Sequence, residues 1–227
     1  MITGAALAPS PPLLCGQLTG RTPVLPELRA ACAEVIARLL GEDPEVVVVV
    51  GPAAETGAWD PASGLNVAAF APPVTGTGTR LLPLALGLGA MLLDQAGYAG
   101  PRRLQAIGQD EPASACAELG ADLADSSART ALLVMGDGSA RRSLKAPGYL
   151  DPRAEGFDAG VERALRAGDA GALLRLDQAL ARDLMAGGRP AWQVLAGALP
   201  AAAPGTEVLY RDDPFGVAYL VAYLRPR

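Results

Sequence analysis

The chain has 227 residues, 50% of them apolar and 19% charged, a globular composition that excludes a disordered chain and fits one domain over 1–227. Its formal net charge of -5 runs against the basic balance of nucleic-acid-binding domains, so no nucleic-acid partner is expected. There is no histidine, which removes every mechanism that needs an imidazole from this chain: His-ligated iron or zinc, Ser-His-Asp and Cys-His nucleophiles, and His general bases.

In chain order, Ile2 to Leu7 reads as a first strand that runs into a proline-rich turn, Pro9-Ser10-Pro11-Pro12. Glu27 to Leu40 carries Leu28, Ala31, Val35 and Leu39 at helical spacing, with Pro26 just before it and Gly41 closing it. Val46 to Val50 is apolar at every position, the pattern of a central strand covered on both faces. Leu65 to Phe70 reads as a strand, Val74 to Arg80 as a Gly/Thr-rich loop, and Leu81 to Ala96 as a buried helix. Gly87-Leu88-Gly89 falls inside that helix, where packing is the simpler role than a nucleotide-binding motif.

Leu104 to Ile107 and Thr130 to Met135 read as strands with a helix, Ala113 to Leu123, between them. From Pro152 onward the pattern is helical, with Phe157, Val161, Leu165, Leu173, Leu176, Leu180 and Leu184 on one face, then a short helix at Ala191 to Leu199. Glu207 to Tyr210 and Val217 to Tyr223 read as closing strands joined through the turn chemistry of Asp212-Asp213-Pro214-Phe215-Gly216. The alternation predicts an α/β fold: a three-layer sandwich with a mostly parallel or mixed central sheet, helices on both faces and an antiparallel terminal pair.

Cys15, Cys32 and Cys116 are widely spaced with no C-x-x-C; they read as reduced thiols of a cytoplasmic protein. Met1 to Ala8 lacks the basic start of a signal peptide. Leu81 to Leu93, the longest apolar stretch, is too short to span a bilayer. No membrane partner, cofactor or metal is expected. A carboxylate site for a hard cation, with Glu55, Asp60 and Asp137, is chemically allowed but has solvated loop acids as its plainer reading. Trp59 and Trp192 read as packing residues.

Ligands of open α/β sheets bind beyond the carboxyl ends of strands. The loops at 8–14, 51–64 and 136–151 occupy such places, and the third is the most specific. Gly136-Asp137-Gly138-Ser139-Ala140-Arg141-Arg142-Ser143-Leu144-Lys145-Ala146-Pro147-Gly148-Tyr149-Leu150-Asp151 offers turning glycines and exposed N–H groups, hydroxyls and three cations, including the only lysine in the chain. An anionic small molecule could be held by Arg141, Arg142 and Lys145 with the backbone of Gly136 to Ser139. The structural alternative has Asp137 and Ser139 bonding within the turn and the cations in solvent or paired with Asp151 and Glu155. A Ser–Lys nucleophile from Ser143 or Ser139 with Lys145 is a third reading, although neither spacing is S-x-x-K.

This loop with its Tyr149-Leu150-Asp151 continuation, Phe157-Asp158, Ala164-Leu165-Arg166-Ala167-Gly168-Asp169 and the opening Ala8-Pro9-Ser10-Pro11-Pro12-Leu13-Leu14 resembles the class III extradiol ring-cleavage dioxygenase superfamily. Within it, the likeness is to the catalytic-chain domain of short actinobacterial members. That resemblance implies an α/β sandwich. It also implies Fe(II) held by two His and a carboxylate, with a further His as acid/base. Here Ser10 stands where the first ligand is implied, Gly51-Pro52-Ala53-Ala54-Glu55 offers no imidazole for the second, and Ala140 follows Ser139 where the acid/base His is implied. Glu207 is the only Glu after Glu162.

The resemblance therefore implies a metal-free relative with no catalytic residues and no catechol cleavage. Its candidate ligand-binding residues are Ser10, Asp137, Gly138, Ser139, Arg141, Arg142, Lys145 and Tyr149. The alternatives are a non-catalytic interaction or scaffold protein, as a homo-oligomer or with a partner subunit, and an enzyme of His-independent chemistry.

Overall fold

The computed structural model describes residues 1–20, 24–65, 81–199 and 205–225. The chain runs β1 (Ile2–Ala8), a 3-10 turn (Pro12–Leu14), α1 (Gly16–Thr19), α2 (Pro26–Gly41), β2 (Val46–Ala53), β3 (Gly57–Trp59) and α3 (Leu84–Gln95). It continues through β4 (Arg102–Gly108), α4 (Ala113–Ala124), β5 (Thr130–Met135), α5 (Arg153–Ala167), α6 (Ala170–Leu174), α7 (Gln178–Asp183) and α8 (Arg189–Ala198). β6 (Gly205–Asp212) and β7 (Tyr219–Arg225) follow, with a 3-10 turn (Pro214–Gly216) between them.

The strands form one mixed sheet in the order β3-β4-β2-β5-β1-β7-β6. β4, β2, β5 and β1 are parallel neighbours; β3 joins β4, β7 joins β1 and β6 joins β7 antiparallel. Val47 to Val50 are fully buried, because β2 lies between β4 and β5 and is covered on both faces. Alternation sorts the side chains. Val48, Val50, Leu132, Val134, Ala5 and Leu7 face the layer containing α4, α5, α6 and α8. Val47, Val49, Leu133, Met135, Ala6 and Ala8 face α2 and α3. The predicted three-layer α/β sandwich and its antiparallel terminal hairpin are observed.

Two helix contacts depend on glycine. A Cβ on Gly120 of α4 or on Gly197 of α8 would collide with the facing backbone, at the carbonyls of Val194 and Ala117 respectively, so α4 and α8 cross backbone to backbone. On the other face, a Cβ on Gly89 would come within 2.5 Å of Val49 Cγ1, which accounts for the glycines of α3 as packing.

The sequence reading differs from the structure in three places. β3 is three residues long and has no readable alternation. The helical stretch after Pro152 is broken: Gly168 adopts a left-handed φ of 62° at the end of α5, and Asp169 and Asp177 cap α6 and α7 by accepting from the amides of Ala172 and Leu180 at 2.8 and 2.6 Å. Arg189, 2% exposed, forms a buried junction that no sequence pattern announces. It donates to the carbonyls of Glu111 and Gln109 and to Gln193 Oε1 at 2.8, 2.5 and 2.8 Å. Gln193 in turn donates to the carbonyl of Leu174 at 3.1 Å. The predicted strand beyond Leu65 and the loop Val74 to Arg80 lie outside the described residues. Among the described residues no helix is long and apolar enough to cross a membrane.

Candidate ligand pocket

Gly136 to Asp151 follows β5 at the carboxyl end of the parallel strands, beside the loop that follows β1. Arg29 of α2 holds that second loop by donating to the carbonyls of Leu14 and Val24, each at 2.8 Å, and to that of Leu13. The two loops meet where the Ser10 amide donates to Asp137 Oδ1 at 2.6 Å. Asp137 is half-buried by exposure; desolvation raises its pKa to about 6, opposed by its hydrogen bonds from Ser10. On the same side, burial pushes the Cys32 thiol to about 12, with Arg29 acting against the shift. Cys15 and Cys116 are also buried and free.

The expected cationic cradle gives way to another arrangement. Arg142 Nε contacts Asp213 Oδ2 at 2.7 Å and lies 3.8 Å from Asp158 Oδ2, while its outer nitrogen pairs with Glu155. Burial opposes the charge of Arg142, but the hydrogen bonds to these carboxylates outweigh it and raise its pKa. Ser139, fully buried, gives both its amide and its hydroxyl to Asp158, at 2.9 and 2.5 Å.

Arg141 points elsewhere: its side chain packs at Gly148, and its buried Nε has no hydrogen-bond partner among the described residues. Lys145 is exposed; its backbone amide donates to Ser143 Oγ at 3.3 Å. Among the described residues no serine hydroxyl bonds the Lys145 amine, so the Ser–Lys pair is not assembled. Tyr149 is 64% exposed at a left-handed φ of 63°. Of the predicted residues, only Gly138 and Arg142 line the pocket beside α5. The physical reason is that α5 brings acids to the loop, and these neutralise Arg142 and occupy Ser139.

That pocket, about 240 Å³, lies between α5 and the β6–β7 hairpin. Glu155, Asp158, Glu162, Asp212 and Asp213 line it against only two guanidiniums, Arg142 and Arg211. Arg211 bridges Glu155 at 3.1 Å and Glu162 at 3.0 Å. Hydrogen bonds from Arg142 and then Arg211 lower the Glu155 pKa, whereas burial raises that of Asp158 against its bonds from Ser139. Asp212 accepts from the Asp213 amide at 2.8 Å and the Tyr210 hydroxyl at 3.4 Å, and no cation among the described residues pairs with it. Val161 and Leu220 supply apolar wall, and Trp192, 1% exposed, supplies an aromatic one. The indole Nε1 of Trp192 is buried without a partner among the described residues.

The narrowness at Gly138 has a cause in the packing. A Cβ there would lie 2.8 Å from both Ala218 Cβ and Asp158 Oδ1, so only glycine lets the loop approach α5. Sequence reasoning misses Glu155, Glu162, Arg211 and Asp212 as pocket residues; it offers Glu155 only as a partner for the loop's cations, a pair that Arg142 makes, and Asp212 only as part of a turn. The one signal is Phe157-Asp158, which pairs a core residue with an acid one step around the helix.

The carboxylates named for an iron site or a hard-cation site do not gather. Glu207 lies on the edge strand β6 and pairs with Arg38 at 2.6 Å, while Glu55 is exposed. Asp60 accepts from the Ala62 amide in its own turn at 2.9 Å. Among the described residues no group of three or more Cys, Asp or Glu is placed to hold a metal ion.

The fold and mouth together define an α/β sandwich with an acidic, imidazole-free pocket. No protein-family model matches the chain, and no curated protein matches it. Among solved structures it is similar to the uncharacterized protein JW3007 from Escherichia coli K12, with a TM-score of 0.56 and 16% sequence identity over 98% of this chain and 99% of that one. That likeness is one of fold.

Proposed function

We propose that this chain is a binding protein with a dioxygenase-like fold and no oxygenase activity, and that its ligand is a small amine-bearing molecule in the pocket beside α5. The observation that carries this reading is the charge of the pocket: five carboxylates face two guanidiniums, and Asp212 has no cation among the described residues. An ammonium group would complete that balance. The apolar wall of Val161 and Leu220 suits a hydrocarbon body. An anionic ligand would meet net repulsion, because Arg142 is already held by Glu155 and Asp213. The oxygenase chemistry of the resembled family is excluded from the proposal because this chain has no histidine.

Titration calorimetry with benzylammonium and with benzoate, which have similar shape and opposite charge, tests the ligand class. Benzylammonium is expected to bind and benzoate to give no heat. Preference for benzoate would restore the anion reading, and binding of neither would remove the pocket from consideration. Oxygen uptake with ferrous iron and protocatechuate is expected to stay at background; ring-opened product would refute the non-oxygenase assignment.

A further inference from the structure

A second cavity, of about 400 Å³, lies at the start of α8. Gln109 and Asp110 after β4, Arg182 and Met185 around the end of α7, and Gly187 and Arg189 at the start of α8 line it. Arg189 is 2% exposed, and its bonds go to the carbonyls of Glu111 and Gln109 and to the Gln193 amide oxygen, none of which carries a charge. Burial lowers the Arg189 pKa, partly offset by the charge of Asp110. A buried cation normally has a counter-charge bonded to it. Among the described residues Asp110 is the one carboxylate lining the cavity, and it pairs with Arg182, not with Arg189. Asp183, next to Arg182 in the chain, pairs with Arg153 at 3.2 Å. Two guanidiniums therefore line this cavity against one carboxylate, in a chain of net charge -5. A third stands by Met185: a Cβ on Gly148 would lie 2.6 Å from the Met185 sulfur and 2.9 Å from Arg141 Nε, which is buried without a partner among the described residues. No side chain caps the ten-residue helix α8 at Gly188, so the positive end of its dipole is open between two lining residues.

We infer that this cavity is an anion site for a phosphoryl group, free or esterified to a small alkyl body. Arg189 supplies the missing counter-charge's fixed partner. Arg182 supplies a movable arm: its side chain is 64% exposed and that of Asp110 75%, and an ion pair so open to water holds weakly. Arg182 can exchange Asp110 for a ligand oxygen, with the guanidinium geometry that suits phosphate. Two cations and an uncapped helix start suit a doubly charged phosphoryl group better than a single carboxylate. Ala181, Met185 and Ala186 give the cavity an apolar side for an ester body. The cavity shares no lining residue with the pocket beside α5, so the two sites stand or fall separately.

Calorimetric titration of the purified chain with inorganic phosphate and with propyl phosphate, each to about 20 mM at constant ionic strength, tests this. Binding of at least one is expected; tighter binding of the ester assigns the esterified form, and equal binding the free ion. Arg182→Gln, on an exposed side chain, is expected to weaken binding about tenfold with an unchanged thermal melt. Asp110→Asn removes the competing carboxylate and is expected to tighten binding about threefold or more. A purely structural role for this ion pair would not produce shifts of opposite sign. No heat from either probe, an Arg182→Gln variant that binds as tightly as wild type, or an Asp110→Asn variant that binds no tighter would each overturn the inference.

Discussion

The Ser10 amide and the Asp137 carboxylate, 2.6 Å apart, tie the loop after β1 to the loop after β5. Burial raises the Asp137 pKa from 3.8 to about 6 in the folded chain, so this contact depends on pH. Below the unfolded pKa both states are protonated and Asp137 carries no penalty. As pH rises towards the folded value, the unfolded state ionises first and stability falls; above it the loss is complete. Asp137→Asn keeps an acceptor for Ser10 and removes the ionisation. It is expected to gain about 1–2 kcal/mol at neutral pH, and the gain is expected to vanish below the unfolded pKa. Urea melts of both proteins across the range check this, and a gain independent of pH would sink the assignment.

Arg142 separates the two ligand classes. Its removal leaves Glu155, Asp158 and Asp213 without their shared partner, and Arg142→Gln is expected to cost about 2 kcal/mol of stability. The same change makes the pocket more negative. Affinity for benzylammonium should therefore rise in calorimetry, where an anion site would lose its ligand.

At the Arg189 junction, a guanidinium is buried on carbonyl oxygens and the Gln193 amide, with no carboxylate among the bonds described. Arg189→Ala would strand those acceptors and open a cavity between α8 and the start of α4. The expected loss is about 3 kcal/mol in urea unfolding. A loss within experimental error would mean that solvent reaches those carbonyls.

Glycine substitutions make a paired test of the helix crossing. Gly120→Ala should destabilise by about 2 kcal/mol, because its methyl group falls on the backbone of α8. Gly156→Ala in α5, where a Cβ meets nothing within 4 Å, should stabilise by up to about 1 kcal/mol. Thermal melts of the two variants should move in opposite directions.

Much of the architecture can be read from local pattern. The Val46 to Val50 run announces a strand covered on both faces, and Asp212 to Gly216 announces a reversal between two strands. β3 escapes such reading because Gly57-Ala58-Trp59 is too short to show a period, and its pairing to β4 is set by tertiary contact. The pocket is only half legible. Gly138 and Arg142 stand in a conspicuous loop, but Glu155 and Asp158, the carboxylates beside Arg142, lie on α5, brought close by a fold that spacing alone does not specify. The sequence leaves Arg142 either open to an anion or paired with Glu155, and the fold makes the pair. Arg189 is hidden for a similar reason: Gly187-Gly188-Arg189-Pro190 has the composition of a turn, yet it opens a buried helix.

The pairing of β1 with β7 has a practical corollary. The two strands run in opposite directions, with Ala5 opposite Leu224, so Met1 and Arg225 lie at the same end of the sheet. A linker of a few residues could join them and leave every strand its neighbours. The resulting ring could be cut open before β4, in the Gly97–Gly100 turn where Gly97 and Ala99 are exposed, yielding a circularly permuted protein with the same mouth.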